Sequence, residues 1–178
     1  VVACVEKGVR GICVISAGFK EIGTAGAAAE KEILALCRAA GIRLIGPNCM
    51  GLLNTDVAVK MNATFARTFP RPGAIAFLSQ SGAMGVTILD HAEDLGLGIR
   101  AFASLGNKAD VSGNDLLEAW ERDPGVHVAL MYLESFGNPR KFIPIARHFS
   151  RRKPLVCVKA GRTAEGGRAA QSHTGALA

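Results

Sequence analysis

Short runs of β-branched and aliphatic residues alternate with longer segments of helical period along almost the whole chain, and that alternation constrains the fold more than any single residue does. Gly11-Ile12-Cys13-Val14-Ile15 reads as a buried strand, Thr24 to Ala40 as a helix with apolar Ile33, Leu34, Leu36 and Cys37, and Ile42 to Ile45 as the next strand. Thr24 is a candidate N-cap, and Gly41 stands where a helix usually stops. Further along, the spacing predicts strand Ala74 to Leu78, helix Gly82 to Leu95, strand Ile99 to Ser104, helix Gly113 to Arg122, strand Val126 to Leu133, helix Pro139 to Phe149 and strand Leu155 to Lys159. Strands separated by helices pair in parallel through right-handed crossovers, so the chain is expected to be α/β. Asn54-Thr55-Asp56 and Pro70-Arg71-Pro72-Gly73 are turn signals with no long element expected between them. The predicted domain boundary therefore falls near Val57, giving segments 1–57 and 58–178.

The composition, 49% hydrophobic and 20% charged over 178 residues, is that of a soluble globular protein able to bury a core. No apolar stretch is long enough to span a bilayer. Five cysteines, an odd number without a CxxC pair, argue against a disulfide framework or a structural zinc site and for a reducing cytoplasm. The net charge of +6 fits either an anionic ligand such as a nucleotide or coenzyme A, or a soluble surface. The chain opens without Met in an apolar, helix-like run, Val1 to Val5, and is expected to be a piece of something longer. No nucleic-acid motif with interleaved aromatics is present, and Arg151-Arg152-Lys153 reads as charge placed beyond a helix C-terminus.

In an open parallel sheet, ligands bind at the carboxyl ends of the strands. The polar residues of this sequence fall there: Ser79-Gln80-Ser81-Gly82, Gly106-Asn107-Lys108-Ala109-Asp110, Glu134, and Gly161-Arg162 leading towards His173. Ser81 and Gly82 open a helix, so backbone N–H groups and the positive end of its dipole are available to a phosphoryl group. The same residues also suit a simple serine cap. Glu134, leaving a buried strand, suits either orientation of an imidazole or a strand-end salt bridge. His173 lies in a run of small residues, where a neutral imidazole is a competent nucleophile towards phosphorus near pH 7. His91, His127 and His148 fall in or beside predicted elements and read as structural or surface residues.

Gly73-Ala-Ile-Ala-Phe-Leu-Ser-Gln-Ser-Gly82, Ser104-Leu-Gly-Asn-Lys-Ala-Asp110, Tyr132-Leu133-Glu134 and Ser172-His173-Thr174-Gly175-Ala176-Leu177, in that order, resemble the nucleoside-diphosphate-forming acyl-CoA synthetases. Ser16-Ala-Gly-Phe-Lys-Glu21 and Gly46-Pro-Asn-Cys-Met-Gly51 look like the end of that family's CoA-binding Rossmann domain. The resemblance implies the tail of such a domain over 1–57 and a flavodoxin-like, parallel-sheet ligase domain over 58–178. It implies that His173 becomes a phosphohistidine, that Glu134 orients it, and that Ser81 and Gly82 belong to a phosphate-receiving helix N-terminus. Asn48 and Cys49 would border the CoA arm, although Cys49 equally suits a small buried hydrophobe.

The resemblance further implies the reaction acid + CoA + ATP ⇌ acyl-CoA + ADP + phosphate, run through an acyl phosphate. ATP or ADP and magnesium would sit outside this chain, in an ATP-grasp domain or subunit, and the assembly would be oligomeric. No metal site is expected within the chain. The family's glycine-rich CoA-phosphate turn is absent from this sequence. Two other readings stay open: an acyl-CoA-sensing, synthetase-like region of a protein lysine acetyltransferase, and a flavodoxin-like module without phosphoryl chemistry. One Trp and one Tyr weigh against flavin stacking in the latter.

Overall fold

The computed structural model describes residues 1–161. A short helix α1 (Val2–Glu6) leads into strand β1 (Gly11–Cys13), a 3-10 turn at Lys20–Ile22, helix α2 (Thr24–Ala39) and strand β2 (Arg43–Ile45). Strands β3 (Gly51–Asn54), β4 (Met61–Thr64) and β5 (Pro72–Ser79) follow, then α3 (Gly82–Asp94), β6 (Ile99–Ser104), α4 (Gly113–Arg122), β7 (Val128–Leu133), α5 (Pro139–Ser150) and β8 (Leu155–Lys159).

Two sheets result. β1 and β2 form a parallel pair, with Ile12 opposite Leu44. The crossover helix α2 buries Cys37 against Ile42 and Leu44, with Ile33 and Leu34 packed on the same small core. Its N-cap is Gly23, at φ 106°, and Thr24 is the first helical residue rather than the cap that its side chain suggested. Close packing explains the shift: a Cβ on Gly26 would lie 1.9 Å from the carbonyl oxygen of Phe19, so the helix entry is pressed against the 3-10 turn.

The second sheet has the order β4-β3-β6-β5-β7-β8. β5 through β8 pair in parallel, as the strand and helix alternation requires. β3 and β4 are a departure from the expected rhythm. β3 runs antiparallel to both β6 and β4, so the sheet is mixed, and residues 51–64 are a hairpin instead of an irregular stretch. The turn chemistry was real: Asp56 N–H donates to Asn54 Oδ1 at 2.8 Å, and Ala58 N–H to Asp56 Oδ1 at 2.7 Å. It joins two short strands within one sheet. Sheet membership changes between Ile45 and Gly51, before Val57.

Period-two burial decides which face each side chain takes. From β5, Ala76 and Leu78 enter one core with Leu117, Trp120, Met131, Leu133 and Phe149 beneath α4 and α5. Phe77 enters the opposite core with Phe102, Ile99, Leu89 and Met50 beneath α3. The Phe77 and Phe102 rings meet at 5.4 Å, tilted by 40°. A Cβ on Gly85 would come within 2.9 Å of the Phe102 ring, so glycine lets α3 lie close over that pair. Helices on both faces are what make the parallel strands continuous apolar runs in sequence.

Candidate functional site at the carboxyl edge of the parallel sheet

The ends of β5, β6 and β7 meet at one edge, where Gln80, just after β5, is tied to the end of β7. The Gln80 backbone N–H donates to Tyr132 O at 3.0 Å. Its side-chain Oε1 accepts from the N–H groups of Glu134 and Ser135, both at 2.9 Å, and its Nε2 donates to Ser135 O at 2.6 Å. Every polar atom of this buried amide is therefore engaged, and the backbone carrying Glu134 is fixed relative to the start of α3. The Gly73–Gly82 motif contains Gln80 without revealing its role, because that role lies in contacts 54 and 55 residues away.

Ser81 is the N-cap of α3, its Oγ accepting from Met84 N–H at 3.4 Å. Gly82 and Ala83, in the first turn, have no intrahelical acceptor for their N–H groups. They line a cavity of about 290 Å³ together with Asn48, Cys49, Gln80, Gly106 and Asn107. The structure thus brings Gly82, Asn48 and Cys49 to one cavity and places Ser81 beside it as the cap. Glu134 is joined to this cluster through Gln80. His173 lies outside the described residues.

Asn48 is held in the left-handed region at φ 55°, its N–H donating to Ser16 O at 2.9 Å and its Nδ2 to Asn107 Oδ1 at 3.4 Å. Cys49, only 5% exposed, has its sulfur 3.7 Å from that of Cys13 and 3.4 Å from the carbonyl oxygen of Val14. The hydrogen bond with Cys13 and burial both push the Cys49 thiol far above its ordinary range.

The loop after β6 joins the two sheets. Asn107, Ala109 and Val111 donate their N–H groups to Pro47, Gly46 and Leu44 carbonyls at 2.9, 3.0 and 3.1 Å. Gly106 sits at φ 52°, where a Cβ would lie 2.2 Å from the carbonyl oxygens of both Pro47 and Asn48. Asn107 Nδ2 donates to Glu21 Oε2 at 2.6 Å and to Glu30 Oε2 at 2.8 Å, while Lys20 Nζ donates to its carbonyl. Burial would raise the Glu21 carboxyl, but hydrogen bonds from Asn107 and from the Phe19 and Gly18 N–H groups outweigh it and hold the carboxyl below its usual value.

Lys108 Nζ donates to Ser135 Oγ at 2.7 Å, beside a second cavity of about 350 Å³ that also takes in Ser112, Asn114, Phe136 and Phe142. Burial, then the charge of Lys20, pushes the Lys108 ammonium down to about 8, against an upward pull from Glu134. The edge therefore presents a helix N-terminus, amide side chains and an amine that burial lowers to about 8, a set suited to anionic oxygen groups.

Among the described residues, no group of three or more His, Cys, Asp or Glu side chains converges as a metal site. No helix among them is long and apolar enough to cross a membrane. His148 Nε2 lies 3.0 Å from Glu121 Oε1, away from this edge, and Arg152 Nη1 is 3.1 Å from the same oxygen. Lys153 Nζ donates to the carbonyls of Trp120 and Asp123 at the C-terminal end of α4, a structural use of that basic run.

Comparison with known proteins places the chain in a family. Residues 72–178 match the model of the succinyl-CoA ligase like flavodoxin domain. The chain is 47% identical over 175 residues to acetate–CoA ligase [ADP-forming] I of Archaeoglobus fulgidus, covering 98% of this chain and 25% of that protein. It is 40% identical to the alpha subunit of acetate–CoA ligase [ADP-forming] I of Pyrococcus furiosus, covering 98% of this chain and 37% of the subunit. The solved dinucleotide forming acetyl-coenzyme A synthetase 1 of Ca. Korarchaeum cryptofilum, in complex with phosphate and ADP, superposes with a TM-score of 0.90 at 40% identity, over 98% of this chain and 37% of that one. The chain thus spans between a quarter and somewhat over a third of the length of these relatives. With the family model matching residues 72–178 and so covering the whole of β5 through β8, this chain belongs to the family of succinyl-CoA ligase like flavodoxin domains.

Proposed function

We propose that this chain is the phosphoryl- and acyl-transferring part of an ADP-forming acyl-CoA synthetase, catalysing with an ATP-grasp domain or subunit acid + CoA + ATP ⇌ acyl-CoA + ADP + phosphate. The observation that carries the reading is the amino terminus of α3 opening, at Gly82 and Ala83, onto a cavity shared with Asn48 and Cys49 at the carboxyl edge of the parallel sheet. Sensor and flavodoxin-module readings are set aside because the similar proteins named above are ADP-forming ligases and an acetyl-CoA synthetase.

In the direction of acyl-CoA use, the phosphate oxygen attacks the thioester carbonyl and the CoA thiolate leaves, giving an acyl phosphate. A ring nitrogen of His173 then attacks phosphorus, and the carboxylate departs. Glu134 accepts a hydrogen bond from the other ring nitrogen and stabilises the imidazolium that forms. The Gly82 and Ala83 N–H groups receive phosphoryl oxygens, with Ser81 holding the helix start in place. Asn48 and Cys49 border the arm of CoA, and the β1–α2–β2 unit, within residues 1–57, is the tail of its Rossmann domain. Segment 58–178 carries the ligase fold, with β3 reaching into its sheet. ADP and magnesium belong to an ATP-grasp domain or subunit, and the assembly works as a cytoplasmic oligomer.

The test combines the chain with the nucleotide-binding portion of its enzyme, ATP and magnesium, and looks for an acid-labile, base-stable phosphoryl adduct. His173→Ala is expected to abolish labelling, and equal labelling of wild type and variant overturns the assignment. Glu134→Gln is expected to slow labelling without loss of fold, and an unchanged rate removes Glu134 from the mechanism.

A further inference from the structure

We propose that Cys13 and Cys49 form a thiol pair that a low-molecular-weight disulfide oxidises to an intramolecular disulfide on the wall of the candidate active site. The proposal stands on its own geometry and does not depend on the ligase chemistry.

Cys13 is the last residue of β1, and Cys49 lies in the loop that follows β2, 36 positions later. Register places Cys13 opposite Ile45, so the chain leaves β2 and turns back over the end of β1. The two sulfurs face each other at 3.7 Å. A disulfide needs about 2.05 Å, so side-chain rotation must close a further gap of roughly 1.7 Å.

The two thiols are unequal. Cys49 is buried and its thiol is strongly raised, so it stays protonated. Cys13 is half-buried, and the hydrogen bond with Cys49 lowers it against the effect of burial. That division is the one a reactive dithiol uses: an accessible thiol with thiolate character, backed by a resolving thiol. Access is present on the Cys13 side, which lines a cavity of about 380 Å³ with Gly11, Arg43, Met61 and Ala63. Cys49 lines the separate cavity at Gly82 and Asn48. The pair therefore connects a reachable surface pocket to the candidate site.

The chemistry balances without a cofactor. Cys13 thiolate attacks one sulfur of RS–SR, and RS⁻ leaves and takes up a proton. Cys49 gives up its proton and attacks the Cys13 sulfur of the mixed disulfide, and a second RSH departs. The protein loses two protons and two electrons, and the external disulfide takes them up and is reduced to two thiols. A reducing compartment keeps the pair open, and a shift towards oxidised thiols closes it.

The experiment treats the folded chain with oxidised glutathione, blocks remaining thiols by alkylation and maps peptides by mass spectrometry, with circular dichroism confirming the fold. A linked Cys13–Cys49 peptide, reversed by dithiothreitol, is expected. Cys49→Ser is expected to trap glutathione on Cys13, and Cys13→Ser to leave Cys49 unmodified. The proposal is overturned if Cys13 and Cys49 stay alkylatable while exposed Cys157 takes up glutathione. It is equally overturned if linkage forms only after unfolding in urea, or if Cys49→Ser accumulates no adduct at Cys13.

Discussion

The β1–α2–β2 unit and the β5–β8 portion of the large sheet follow the same alternation of strand and helix, yet they are stabilised differently. The large sheet is covered by α3 on one face and by α4 and α5 on the other, and its strands carry fully buried side chains such as Phe77, Leu78 and Phe102. The small unit has three-residue strands and a buried core of Cys37, Ile42 and Leu44. It depends on the loop after β6, through the Gly106 close approach, the Asn107 side chain and Asp110. Asp110 Oδ2 accepts from Arg43 Nε at 2.7 Å and from Leu44 N–H at 3.1 Å. Within the described residues, the same local grammar thus gives a core buried by helices on both faces in one region, and in the other a small core whose unit is tied to the loop after β6. The candidate cavity lies where they join.

The largest effect is expected in the core of the large sheet. Phe102→Ala, which removes a ring wedged between Phe77 and α3, should cost about 3–5 kcal/mol. Denaturant melts should show one transition that takes the small unit with it. A loss confined to β6 would break the comparison.

At the junction, Gly106→Ala meets two carbonyl oxygens and an unfavourable φ, and should cost about 1–3 kcal/mol. Hydrogen exchange should then rise across β1, α2 and β2 while β5 and β7 stay protected. Uniform acceleration would show that the loop after β6 does not hold the small unit separately from the large sheet. Asp110→Ala removes the ion pair with Arg43 and the acceptor for Leu44 N–H, and should cost about 1 kcal/mol with the same regional pattern, read by the same exchange measurement.

The smallest effect is a pH slope. Lys108 is pushed down to about 8 by burial and by Lys20, whereas an unfolded lysine titrates at roughly 10.4. Between those values the unfolded chain binds more protons, so this group makes stability rise with pH from about 8 to roughly 10.4. Lys108→Met should flatten that rise in urea midpoints measured across the window. An unchanged slope would place the Lys108 amine in water.

The parallel strands were legible in the sequence because they are continuous apolar runs between Gly, Pro and polar breaks, as burial on both faces requires of the central strands β5 and β7; β8 keeps the same pattern although Val156 and Val158 are exposed. β6, α4 and β8 fall at the predicted residues. β3 and β4 were not legible: four-residue strands ending at Asn54 and starting at Met61 look like turn flanks, and their pairing with β6 is set by tertiary packing. Gly82, which strand-end placement brings forward, shares a cavity with Asn48 and Cys49, which only the family resemblance brings forward. Gln80 and Lys108 lie in the Gly73–Gly82 and Ser104–Asp110 segments, but only folding shows that both reach Ser135.

The central claim is that the carboxyl edge at α3 is the place where phosphoryl oxygens bind. Titrating the isotopically labelled chain with inorganic phosphate and following backbone amide shifts tests it most directly. Shifts concentrated at Gly82, Ala83 and Asn48 are the expected result, and shifts confined to Arg151–Lys153 or scattered over the surface would contradict it.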